Sequence, residues 1–188
     1  MMKGGLNRCL WAVIFLAVLL AGAIDQKSQN VLKIEKLLTQ IEKHPSRTGR
    51  GDRKAEVTER ELNDYIGYRL AREKPRIINS LDVRLLNDNH VQGKIVLDAR
   101  RLNCDMFFGK TLDFDFKGIV HSRRGAARLD LNTLHLNGRP VSPQTLDMVL
   151  GAIALANGTE TARIDDWYAL PKGLKRIAVR KGMAELRY

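Results

Sequence analysis

The sequence predicts an α+β fold in which a curved antiparallel β-sheet, greasy on its inner side only, wraps on one or two long helices. An N-terminal signal segment and a further helix precede it. Three observations carry this expectation. Thr58 to Leu70 is a capped amphipathic helix, it runs straight into strands of period two, and one of those strands changes phase part-way along.

At the N-terminus, Lys3 and Arg8 precede an apolar run from Cys9 to Leu20, and Ala21-Gly22-Ala23 supplies small residues in the A-x-A pattern of a secretory cleavage site. The apolar stretch from Cys9 to Ile24 is shorter than the roughly 18 or more residues of a usual spanning helix. Residues 1–23 therefore read as a cleaved signal peptide, with a retained membrane anchor as the alternative. Both place the protein in the periplasm or cell envelope. Removing Lys3, Arg8 and Cys9 takes the formal charge from +11 to +9 and leaves Cys104 as the one thiol, so the fold must hold by packing without an internal disulfide. A basic exported protein meets anionic headgroups or acidic polymers more readily than nucleic acid.

Residues 24–54 form the second region. Val31, Ile34, Leu37, Leu38 and Ile41 recur at helical spacing and predict a helix over about Lys27 to Lys43, ended by His44-Pro45. The polar segment Ser46 to Lys54 has no apolar residue and reads as a mobile linker or exposed loop. Its Arg50-Gly51-Asp52 matches an adhesion tripeptide, which chance supplies often in a basic loop.

Residues 55–188 read as one domain. Ala55 to Val57 suit a short strand, and Thr58 with Glu61 has the capping-box spacing ahead of the stripe Leu62, Tyr65, Ile66 and Leu70. In the first long strand Ile77, Leu81, Val83 and Leu85 fall on one face, with Ser80, Asp82 and Arg84 on the other. In the next, Val91, Ile95 and Leu97 alternate with Gln92, Lys94 and Asp98. Asn87-Asp88-Asn89 between them predicts a hairpin turn, since these residues tolerate left-handed backbone. Leu112, Phe114, Phe116 and Val120 face one way, and Asp113, Asp115 and Lys117 the other. After a turn at Arg124-Gly125, Leu129 and Leu131 give way to Leu134 and Leu136, a slip that predicts a bulge at Asn132-Thr133 and a bent strand. Such face contrast argues antiparallel pairing with one wet side.

Ser142 and Pro143 predict the start of a helix that continues from Leu146 to Ala156 with Asp147 its one charge. A helix apolar nearly all round is either core or meets something greasy. The chain then shows Trp167-Tyr168, Leu170-Pro171, and a hairpin in which Ile177 and Val179 lead to Arg180-Lys181-Gly182, with Ala184, Leu186 and Tyr188 returning.

The sequence displays no catalytic constellation, so no enzyme, metal or cofactor is expected. Phe108-Gly109-Lys110-Thr111 mimics the end of a phosphate-binding loop, yet Cys104 stands where its first glycine is needed and a strand follows. His44, His90, His121 and His135 lack metal spacing, although His121 and His135 could meet across a hairpin. Cys104 near Arg100 and Arg101 has no histidine partner in sequence. Asp113 and Asp115 read as a solvated strand face with Lys117, and Asp165-Asp166 beside Trp167 has no catalytic partner. Asn157-Gly158-Thr159 fits a glycosylation acceptor only in a eukaryotic host.

The run VTERELNDYIGYRL followed by SLDVRLLNDNHVQGKIVL resembles the opening of bacterial tubular lipid-binding (TULIP) superfamily proteins, the LmeA-like and YpmS-like exported proteins among them. LHLNGRPVSPQTLDMVLG and LPKGLKRIAVRKGMAELRY are similar to their apolar helix and closing hairpin. The resemblance covers most of Val57 to Tyr188. It implies a half-barrel or roll with an apolar groove for acyl chains, and a role in binding or moving lipid in the envelope. The expected groove takes Leu62, Ile66 and Leu70 from the capped helix and Val83, Leu85, Ile95, Leu97, Phe114, Phe116, Leu129 and Leu131 from the sheet. The later helix adds Leu146, Val149, Leu150 and Ile153. Each methylene moved from water into such a groove contributes about 0.8 kcal/mol. Lys172, Lys175, Arg176, Arg180 and Lys181 are the expected contacts to a headgroup or an anionic membrane surface. The expected partners are thus a phospholipid or other acylated ligand and an anionic membrane, with no nucleic acid. A non-enzymatic envelope scaffold, with a filled core and a basic face for a protein partner, is the alternative.

Overall fold

The structure, a computed structural model, describes residues 28–43, 53–72, 77–101, 111–156 and 163–188. The expected signal segment, His44, Arg50-Gly51-Asp52, Cys104, most of the phosphate-loop mimic and Asn157-Gly158-Thr159 lie outside them, as does the side chain of Ile153. Among the described residues no helix is long and apolar enough to cross a membrane.

Helix α1 (Gln29–Lys43) buries Val31, Ile34, Leu38 and Ile41 of the stripe its periodicity predicts, with Leu37 partly buried beside them. Strand β1 (Lys54–Thr58) shows that the polar segment ends before Arg53, which already pairs with Tyr188. Helix α2 (Glu59–Leu70) starts with a complete capping box: the Glu61 N–H donates to Thr58 Oγ1 at 3.3 Å, and the Thr58 N–H donates to Glu61 Oε2 at 2.9 Å. Lys33 pairs with Glu61 while Asn30, a turn earlier, donates to Asp64, almost a turn later, so α1 and α2 are antiparallel.

The large sheet follows as β2 (Ile78–Leu85), β3 (His90–Asp98), β4 (Thr111–Arg123), β5 (Ala126–Leu136) and β6 (Arg139–Pro140) in that spatial order. It is antiparallel and curls into a half-barrel. The β2–β3 turn puts Asp88 and Asn89 at φ of 57° and 60°, as their side chains allow. Lys117 pairs with Thr133 but Gly118 with Leu131, which leaves Asn132 as the extra residue of the expected bulge. Gly118 is required there, because a Cβ would lie 2.5 Å from the Asp130 carbonyl oxygen. Asn137-Gly138 (φ 50° and 77°) turns β5 into β6, a hairpin that the sequence reading does not anticipate. Helix α3 (Pro143–Ala156) begins with the expected proline, and β7 (Tyr168–Ala169) pairs with the start of β5.

A second sheet departs from the single sheet expected. The hairpin β8 (Arg176–Arg180) and β9 (Met183–Arg187) takes β1 on its far side, in the order β1-β9-β8. This hairpin cannot extend the large ladder, because β8 meets side chains and turns instead of a parallel row of backbone. The Ile177 N–H donates to Ser122 Oγ, the Val179 N–H to Asn89 Oδ1 and the Lys181 N–H to Asn87 Oδ1, while Gly125 donates to the Lys175 carbonyl. Strand β8 thus passes the β4–β5 turn, the end of β4 and the β2–β3 turn in succession, and the small sheet closes that end of the half-barrel.

Candidate functional site

The wet face and the inner face separate as the alternation requires. Ile66, Leu70, Val83, Leu85, Ile95, Leu97, Phe114, Phe116 and Leu129 all lie in one continuous buried core with Val57, Ile177, Val179 and Leu186 of the small sheet side. Phe114 is wholly buried, at 0% exposure. The Phe116 ring sits where Gly93 leaves room: a Cβ on that glycine would fall 2.4 Å from the ring. Leu62, Leu131 and Leu150 are half-buried against this core.

Helix α2 adds a contact that no periodicity reveals. Asn63 donates from Nδ2 to the Val83 carbonyl at 2.8 Å and accepts the Val83 N–H at Oδ1, also at 2.8 Å, as a neighbouring strand would. Glu59 Oε2 accepts the Leu85 N–H at 2.7 Å. These two side chains seal the edge of β2 against pairing with another chain.

At the other edge, β6 and Val141 cover β5 from Leu134 to Leu136, and β7 covers Ala126 and Ala127. A cavity of about 250 Å³ opens beside this edge, lined by Leu131, Leu134, Val141, Pro140 and Pro143 with Asn132, Thr133 and His135. Helix α3 starts at its wall. It buries Leu146, Val149 and Ala154, leaves Met148 at 46% exposure, and uses Asp147 to accept the Ile164 N–H at 2.8 Å. Among its described side chains Leu150 and Ala152 are half-buried, so Met148 is the large apolar residue that α3 leaves to solvent. A larger depression, about 440 Å³, runs along α1 between Leu32, Glu35, Lys36, Thr39, Gln40 and Lys43, on one helix face and away from the half-barrel sheet.

The remaining sequence candidates do not converge. His121 opposes Arg128 and His135 opposes Asp115, so the two histidines do not meet. His121 Nε2 instead lies 3.1 Å from Asp130, whose other partner is Arg128. Asp113 is paired by Lys94 at 3.0 Å rather than by Lys117, an ion pair that raises the lysine pKa. Asp98, read as a wet-face residue, is buried at the strand end, where Arg100 donates from Nε and from a terminal nitrogen to its two oxygens at 2.8 and 2.9 Å. Among the described residues no group of acidic, histidine or cysteine side chains could hold a metal ion. Burial pushes the Tyr65 phenol up to about 12.

The basic residues occupy the small sheet and its loops. Arg176 and Arg180 share its outer face with Lys54, Glu56, Glu185 and Arg187, while Ile177 and Val179 point inward. Lys172 lies in the loop before β8, Lys175 is half-buried beside the β4–β5 turn, and Lys181 stands at the β8–β9 turn. Glu185 is 4% exposed, yet it is shielded by its own cations close to the surface: Arg187 at 2.6 Å, and Lys54 and Arg180 each at 3.6 Å. The Arg187 hydrogen bond, followed by opposing burial and the pull of the other cations, leaves its carboxyl below the usual range. Comparison with protein-family profiles, with characterised proteins and with solved structures gives no match for this chain.

Proposed function

We propose that the protein binds an acyl chain or similar apolar ligand in the cell envelope, at the cavity between the bulged edge of β5 and helix α3. The observation that carries the reading is α3 itself: a 14-residue helix with one charged residue starts at a cavity whose walls include Leu131, Leu134 and Val141, and leaves Met148 exposed. The sequence resemblance to exported lipid-binding proteins and the curled half-barrel sheet support the same reading. The groove expected from sequence spreads over the whole inner face, but most of that face is filled by protein. The ligand is therefore assigned to the cavity walls, Leu131, Val141, Pro140 and Pro143, where α3 starts and each methylene removed from water contributes about 0.8 kcal/mol. Transport of that ligand between membranes is the role this binding would serve.

Native mass spectrometry of protein purified from its own envelope, followed by organic extraction, tests this. A discrete added mass that extracts as an acylated molecule supports binding. Leu131→Trp, which fills the cavity from a half-buried position, should then abolish the added mass while the protein stays folded. Retention of lipid by that variant would place the ligand elsewhere.

The second reading, an envelope scaffold, is favoured by the dense burial of the inner face from Leu81 to Leu129. A bare mass together with a stoichiometric protein partner would select it.

A further inference from the structure

The sheet register puts three cations side by side. Lys54 of β1 is the partner of Arg187 in β9, and Arg187 is the partner of Arg176 in β8. Neighbouring strands are about 4.8 Å apart, and like charges directly opposed on one face destabilise a sheet. Glu185, one step along on the same face, accepts hydrogen bonds or charge contacts from Arg187, Lys54 and Arg180 and offsets part of that repulsion. The imbalance around it is large. Residues 53–58 and 170–188 carry eight Lys and Arg against two carboxylates, Glu56 and Glu185.

Two further features lie at the same end of the molecule. The Gly125 N–H donates to the Lys175 carbonyl, and the Leu170 N–H donates to the Gly125 carbonyl, which brings the turn residues Arg123 and Arg124 beside the loop that holds Lys172. Trp167 lies there too, with the Arg123 guanidinium 4.0 Å and the Arg128 guanidinium 5.2 Å from its ring centre. A strand face with a cationic row and basic loops at both ends suits a planar anionic surface. A polyanion read by stacking would need aromatic side chains between the cations, and that face carries none in its strands.

We propose that the outer face of the β1-β9-β8 sheet is a docking surface for an anionic phospholipid bilayer. It rests on the proposed function only for the presence of a membrane, and it concerns the end of the half-barrel that the small sheet closes, away from the α3 cavity. Glu185 acts there as an internal counter-ion that holds Lys54, Arg180 and Arg187 in one layer before any lipid arrives.

Co-sedimentation of the full chain with vesicles of phosphatidylcholine alone, or mixed with phosphatidylglycerol, tests it. Binding should be stronger to the mixed vesicles, and the excess should vanish in concentrated salt. The double charge reversal Arg176→Glu with Lys181→Glu should weaken that excess at least tenfold, since each basic residue near an anionic surface adds severalfold to binding. Lys117→Glu with Arg139→Glu changes the net charge equally on exposed positions of the large sheet, and should leave binding within about twofold. Equal binding to both vesicle types overturns the proposal, and so does an equal loss in the two double variants. Lipid extraction reads the α3 cavity separately, so either conclusion can fail while the other stands.

Discussion

Replacing Asn63 by Ala removes both hydrogen bonds by which α2 imitates a strand along β2. The Val83 N–H and carbonyl would then lie partly buried without partners. An unsatisfied buried group costs about 1–3 kcal/mol, and partial access to water at a sheet edge places the sum of two near the lower end, about 2–3 kcal/mol. With a urea slope near 2 kcal/mol per molar, a reasonable value for a domain of this size, the midpoint should fall by about 1–1.5 M. Asn63→Asp separates the two bonds. Its carboxylate still accepts from the Val83 N–H but repels the Val83 carbonyl, so it should also destabilise at neutral pH and recover part of the loss once protonated. Native-state hydrogen exchange reads the edge directly: the Val83 and Leu85 amides should lose protection in Asn63→Ala before those in β3 and β4 do. A midpoint shift below about 0.3 M with Val83 protection unchanged would refute the idea that α2 is fastened to the sheet through this edge.

Further predictions rest on packing and charge. Gly93→Ala sets a methyl group 2.4 Å from the Phe116 ring and 2.9 Å from the Asp82 carbonyl oxygen, and thermal unfolding should show a loss of about 2 kcal/mol or more. Phe114→Ala should cost about 3–5 kcal/mol by chemical denaturation, because the ring is wholly buried and its removal opens a cavity in the core. A charged residue at Phe114 would for the same reason report on folding and not on ligand uptake. Glu185 and Glu61 both have carboxyl pKa values below the usual 4.5; at Glu61 burial works the other way but is outweighed by the hydrogen bonds from Lys33 and Thr58. Depressed carboxyl values contribute stability that is present above the unfolded pKa and is lost as pH falls through the folded one. Stability should therefore decline below about pH 4.5, and Glu185→Gln should flatten the decline in a pH series of denaturation midpoints.

Residues whose information is local were legible in the sequence. Thr58 and Glu61 announced the capping box, Asp88 and Asn89 the turn, and the slip from Leu131 to Leu134 the bulge, since each depends on neighbours within a few positions. The inner-face residues from Val83 to Leu129 were legible as buried, but alternation reports only that a side chain avoids water. It does not distinguish contact with ligand from contact with another strand. The division into two sheets was not legible. It turns on Asn89 and Ser122 meeting β8 across separations of 90 and 55 residues, which no local pattern encodes. The Asn63 seal on β2 was hidden for the same reason, as a polar residue on an amphipathic helix ordinarily faces water. The basic cluster was legible as composition, while the row Lys54, Arg187 and Arg176 required the register of three strands.

The pairing of β1 with β9 sets an order on folding. Val57 must wait for Ala184, and Asn87 for Lys181, before either finds its partner. The helices and the β2–β3 and β4–β5 hairpins draw on near neighbours and can form early, but joining β1 to β9 closes a loop that contains nearly the entire domain. Closing such a loop is slow because its entropy is lost before any contact repays it. Strand β1, Asn87, Asn89 and Ser122 should therefore stay open in any folding intermediate, with the end of the half-barrel unsealed until β8 and β9 arrive.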